Sequence, residues 1–137
     1  MSPNNAERAD RGYSSAWLHH KGRNKHHYEY WNDYNPKTKR LEGVKMPDKY
    51  FVEMVCDRIA ASKIYYGDNY TDNAPLNYFL GKKGKILINK DTEKELEYVL
   101  RMLADKGEKR VFRYLRKKVR KARTRKVNNF IGGLARG

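Results

Sequence analysis

A chain of 137 residues, 39% hydrophobic and 34% charged, has material for one thin core and not for a second. No apolar run approaches the roughly 18 residues of a membrane span. The opening segment MSPNNAERADRGYSS lacks the basic-then-apolar plan of a secretory signal, and the single cysteine, Cys56, excludes an internal disulfide and fits a reducing cytoplasm. The net charge of +15 belongs to one end: residues 109–137 hold 12 Lys/Arg and no acid, against 19 Lys/Arg and 16 Asp/Glu before them.

Residues 1–12 are polar and aperiodic and read as a flexible arm. Residues 13–107 carry the periodic segments of a small helical domain. A short helix is expected over 15–21, broken at Gly22-Arg23-Asn24, with Asn24 placed to cap a second helix reaching Trp31. The stretch NDYNPKTKRLEGVKMP is rich in turn residues, has no period, and reads as a loop. Pro47 and Asp48 open the clearest helix, which runs to about Tyr66 with Phe51, Val52, Val55, Ile59 and Ala60 at helical spacing, and Gly67 ends it. A short helix over 75–80, ended by Gly81, leads to an extended connection or isolated strand over 85–89. Thr92 and Glu95 form a capping-box pattern before Leu96, Val99, Leu100 and Leu103, an amphipathic helix ending near Gly107. Residues 108–137 read as a basic helical extension, helical over 108–126 with a narrow stripe of Val111, Phe112, Leu115 and Val119, and flexible at VNNFIGGLARG. The predicted fold class is all-α.

All four histidines, His19, His20, His26 and His27, fall in AWLHHKGRNKHHYEYW. Neutral imidazole binds divalent transition metals, and such sites draw three or four ligands from at least two segments. Neighbours on a helix sit about 100° apart, so one histidine of each pair is the expected ligand, His20 and His27 ahead of His26. Glu53 and Asp57, at i and i+4 among Tyr50, Ala60, Ala61 and Ile64, read as partly buried acids that need a cation. Together these residues predict a mixed nitrogen–oxygen site for Mn, Fe, Co, Ni or Zn. Solvated surface histidines and a solvated acidic face are the plain alternative. Trp17, Tyr28, Tyr30, Trp31 and Tyr34 read as packing around the segment. Cys56 reads as a small core residue with no activating cation.

The histidine string, followed by MPDKYFVEMVCDRIAASKIY, by GD and by a T…LE helix, resembles an uncharacterised bacterial and phage domain-of-unknown-function family. That family itself looks like a divergent relative of the HD superfamily of metal-dependent phosphohydrolases. The resemblance spans residues 2–116. Trp17-Leu18, His20, Arg23-Asn24, His26-His27, Tyr30-Trp31, Met46-Pro47, Glu53-Met54 and Asp57 stand where the family pattern puts them, and His19 lies outside it. The resemblance implies a helical domain, a divalent metal held by histidines and an aspartate, and hydrolysis of a phosphomonoester or nucleotide by water activated on the metal. His26 or His27 would orient substrate or pass a proton, Asp57 would hold metal or water, and Arg23 and Asn24 would contact the phosphate or leaving group. Members of the family carry an earlier His-Asp segment, and no His-Asp dipeptide occurs in this chain. The expectation is therefore an incomplete HD-like domain: the downstream part of a longer protein, or a variant without that half of the site.

The segment KRVFRYLRKKVRKARTRK, with eleven Lys/Arg in eighteen residues, supports a rival function. Arg113, Arg116, Lys117, Lys118, Arg120, Lys121 and Arg123 would attract nucleic acid by neutralising phosphates without reading bases. An anionic membrane surface is a second partner for such a helix, and simple solubilisation is the bland alternative. A third reading is a helical fragment that completes its fold with another chain.

Overall fold

The computed structural model describes residues 24–136, and four α-helices and one β-hairpin make up its regular structure. A 3-10 turn, Tyr28–Trp31, leads into strands β1 (Asn32–Asn35) and β2 (Arg40–Gly43). Helices α1 (Asp48–Tyr66), α2 (Ala74–Lys82), α3 (Lys90–Lys106) and α4 (Glu108–Arg136) follow, with a second 3-10 turn at Gly67–Asn69. The molecule is all-α in class, and the hairpin is its one departure. The helix and arm expected before residue 24 lie outside the described residues.

Helix α1 keeps its predicted bounds for the predicted reasons. Pro47 precedes it with φ −58°, the value its ring imposes, and Gly67 leaves it with φ 55°, a left-handed turn that a side chain would resist. Helix α2 runs two residues further than its sequence suggests, passing through Gly81 to Lys82. The capping box at Thr92 and Glu95 is not used as one. Asn89 caps α3 instead, its Oδ1 accepting from the backbone N–H of Asp91 at 3.0 Å and Thr92 at 3.1 Å. That frees Thr92 to be buried, with its Oγ1 accepting the Met46 N–H at 3.2 Å. Helix α4 does not fray after Lys126 but continues to Arg136.

One core joins all four helices. Phe51, Met54, Val55 and Ile59 of α1 meet Leu76 and Phe79 of α2, the Leu96, Val99, Leu100 and Leu103 stripe of α3, and Val111 and Leu115 of α4. Gly107 alone separates α3 from α4, at φ 85°. The basic segment is thus core for its first two turns, its last core residue being Leu115.

The loop expected over residues 32–47 is the correction of most consequence. It is an antiparallel hairpin in the register Asn32 to Gly43, Asp33 to Glu42, Tyr34 to Leu41 and Asn35 to Arg40. A side-chain network holds it: Glu42 accepts from Asn35 Nδ2 at 3.0 Å and Thr38 Oγ1 at 2.9 Å, while Asn35 Oδ1 accepts the Lys37 N–H. Lys39 takes the left-handed turn position, φ 58°. Neither strand alternates apolar with polar, so no period-2 signal existed to be read. The hairpin base is pinned to the connection over 85–89, which pairs with no strand. Asn32 Nδ2 donates to the Leu87 carbonyl at 3.0 Å, and Asn89 Nδ2 to that of Gly43 at 3.3 Å.

Candidate metal centre

Residues 24–31 reach the site by a fold-back and not by the predicted helix. The His27 N–H donates to the Asn24 carbonyl, and the Trp31 indole N–H donates to the Lys25 carbonyl at 2.8 Å. Trp31 then stacks obliquely on Tyr50 of α1, ring centroids 5.7 Å apart, and Tyr28 and Trp31 pack on the core edge. Tyr50, Met54, Asp57 and Ala61 occupy successive turns along that side of α1. Anchoring at Tyr50 therefore sets the histidines beside Asp57, two turns on.

His26, His27 and Asp57 each present a ligand atom within 4.8 Å of the other two. His26 Nε2 lies 3.9 Å from Asp57 Oδ2, and the two imidazole centroids are 4.6 Å apart. Both histidines of this pair converge, against the expectation that only one would. That expectation assumed a helix. The backbone here is a turn, with His27 extended at φ −93°, ψ 135°, so neighbouring side chains share a direction. Ligand atoms around an ion at about 2.0–2.2 Å lie at most about 4.4 Å apart. Small rotamer shifts close the observed separations to that value, so the three residues fit a divalent ion.

The other predicted residues fare differently. Glu53 is exposed and stands outside this group, and Asp57 keeps half its side chain in water, where both were expected to be partly buried. The neighbours that suggested burial are themselves outside: Ala60 and Ala61 are exposed, and Ile64 is 85% exposed. Cys56, expected in the core, is likewise exposed, and partial burial with the Glu53 carboxylate pushes its thiol pKa up, away from reactivity. Asn24 is half-buried at the start of the fold-back. His20 and Arg23 lie outside the described residues. Arg113, Arg116, Lys117, Arg120, Lys121 and Arg123 are exposed along α4, while Lys118 is half-buried.

Beside the three ligands opens a cleft of about 370 Å³, lined among others by His27, Tyr28, Asp57, Arg58 and Tyr78. It continues past Asp57, Arg58 and Tyr78 into a second hollow of about 480 Å³ bounded by Tyr65 and Tyr66. Arg58 is the residue that sequence reading missed. Burial lowers its pKa, offset by Tyr28, Tyr78, Glu29 and Asp57, and a guanidinium stays charged even so. It lines the cleft as a cation between Asp57 and Glu29. The available signal was an arginine set between apolar helix positions, at the residue after Asp57. Burial, the Glu29 charge and a hydrogen bond to it raise the Tyr28 hydroxyl well above its ordinary pKa, keeping it a neutral donor.

A model described as a family of unknown function (DUF5662) matches residues 2–102. No curated protein and no solved structure matches the chain. The matched span contains the histidine fold-back, the hairpin, α1, α2 and most of α3, and stops before α4.

Proposed function

The chain belongs to the DUF5662 family, and we propose that it is a divalent-metal-binding domain that hydrolyses a small phosphorylated substrate, a phosphomonoester or nucleotide. The observation that carries this is the convergence of His26, His27 and Asp57 from segments thirty residues apart. Two imidazole nitrogens and one carboxylate oxygen suit Mn, Fe, Co, Ni or Zn and leave coordination positions open on the cleft side. Bound there, the ion supplies Lewis acidity to water and to a phosphoryl oxygen. Asp57 and the imidazoles of His26 and His27 would hold it. Arg58 seats the phosphate, a role the sequence had assigned to Arg23 and Asn24, and Tyr78 closes the outer wall. The family that the sequence motifs resemble looks like a divergent relative of the HD-type phosphohydrolases, and that likeness supports the same reaction class.

The test is calorimetric titration of the chelator-treated full chain with Zn²⁺, Mn²⁺ and Co²⁺, followed by phosphate release from nucleotides and aryl phosphates. One ion per chain, with turnover that needs it and collapses in Arg58→Gln while metal affinity stays, is the expected result. Metal binding without hydrolysis of any phosphate ester would remove the enzymatic half of the proposal. No uptake would reduce the cluster to a polar His26–Asp57 contact.

A further inference from the structure

We propose that the outer face of α4 is a binding surface for the phosphodiester backbone of nucleic acid, used without sequence recognition. This goes beyond the metal site and does not depend on it. The family match ends at residue 102, so this surface lies outside the part of the chain that the match describes.

Helix α4 divides its cations between two jobs. Lys118 turns inward, contacting Asp48 at 3.2 Å and Glu95 at 2.6 Å, and Arg125 also pairs with Asp48. These two tie the helix to α1 and α3. Lys109, Arg113, Arg116, Arg120 and Arg123 follow one another at steps of four and three residues, which places them in one straight row. The row faces away from Val111 and Leu115, and every member is exposed. None of them forms an ion pair among the described residues. Lys117, Arg120 and Lys121 border a shallow basic groove on the flank of the row, which Thr124 and Arg125 complete. No acid follows Glu108 in the chain, so nothing on this face offsets the field.

The row is about 21 Å long at 1.5 Å per residue. Along the duplex axis one strand presents a phosphate about every 3.4 Å, so the row matches the axial rise of roughly six base pairs. Four of its five members are arginine, whose planar guanidinium grips phosphate in a bidentate fashion. A helix that lies in a membrane surface instead needs a broad apolar face opposite its cations. Here that face is spent on the core, and among the described side chains of the helix only Val127, Phe130 and Ile131, beyond the row, are large, apolar and exposed.

The test is fluorescence anisotropy of labelled duplex DNA and single-stranded RNA with the full chain across a salt series. Affinity should fall with a log–log slope of about −4.5 on duplex, and less steeply on the single strand, as five cations reading only phosphate require. Arg113→Gln, Arg116→Gln, Arg120→Gln and Arg123→Gln together should cut the slope by about 3.6 and weaken binding at least about tenfold, with unchanged helicity. A charge-matched control, Lys37→Gln, Lys45→Gln, Lys85→Gln and Lys90→Gln, should bind nearly as the parent does. Equal loss in the control overturns the location, and a strong preference among scrambled sequences overturns the backbone-only mode. Tighter binding to phosphatidylserine vesicles than to duplex, abolished by Phe130→Ser with Ile131→Ser, makes the partner a membrane. Absence of binding at low salt ends the proposal.

Discussion

Asp57 is half in water, and its worth as a ligand rests on the two imidazoles beside it. Removing a direct ligand costs at least what removing a supporting one does, so His27→Ala and Asp57→Ala should each weaken metal binding by about tenfold or more. Neither side chain is core, so circular dichroism and thermal unfolding should stay near the parent's. Glu53→Ala is the contrasting case and should leave affinity unchanged. Three tyrosines give a second residue-scale outcome. Burial and the Glu95 carboxylate, to which the Tyr114 hydroxyl donates at 2.8 Å, raise the Tyr114 pKa, Tyr28 is raised similarly, and Tyr70 is pushed up to about 12. Folded-state values above the unfolded value near 10 mean their contribution is intact below about pH 10 and is lost as pH rises from there toward the folded values. Phenolate absorbance should therefore show a late step that coincides with loss of helix signal. Smooth titration of all eleven tyrosines with helicity retained would contradict this. Asp57 and the His26-His27 pair were legible as candidate ligands because only a few residue types bind metals. Arg58 was not, since its meaning comes from burial.

At the scale of elements, helices were readable where apolar residues repeat and unreadable where side-chain hydrogen bonds decide. The α3 stripe named four residues, all now fully buried. Leu100→Ala should cost about 2–5 kcal/mol in denaturant unfolding, the range for a large-to-small change in a packed core. Its cap was misplaced by three residues, because Asn89 and Thr92 are both good cap residues and only the contact with Met46 decides between them. Asn89→Ala should cost about 1 kcal/mol, with more in reserve from the lost bond to Gly43. The hairpin depends on a close approach at that point. A Cβ on Gly43 would meet the Ile88 carbonyl carbon at 2.6 Å and the Asn89 Cα at 2.9 Å, both rigid backbone. Gly43→Ala should lower the melting temperature and broaden the amide signals of 32–43. A variant with parent-like stability and hairpin chemical shifts would show that the two segments do not touch.

For the molecule as a whole, charge and packing pull α4 in different directions. Its first turns complete the core, its middle is clamped by Lys118, and its cationic row faces outward. Lys118, Asp48 and Glu95 are each about four-fifths buried, so Lys118→Met leaves Glu95 without its cation and Asp48 with Arg125 alone. The expected loss is about 1–3 kcal/mol, below that of a fully buried pair. Stopping the chain after Lys126 removes the exposed Val127, Phe130 and Ile131 and no residue of the core, and should leave stability unchanged. No helix among the described residues is long and apolar enough to cross a membrane. That the charge lies at one end was plain in the sequence, and the sequence could not show which cations are spent internally. The central claim is the metal centre. Its most direct test is elemental analysis by mass spectrometry of the untagged full chain after dialysis against chelator-free buffer. The account predicts close to one Mn, Fe, Co, Ni or Zn per chain in the parent and almost none in Asp57→Ala. Equal metal in both, or none in the parent even after incubation with these ions, would contradict it.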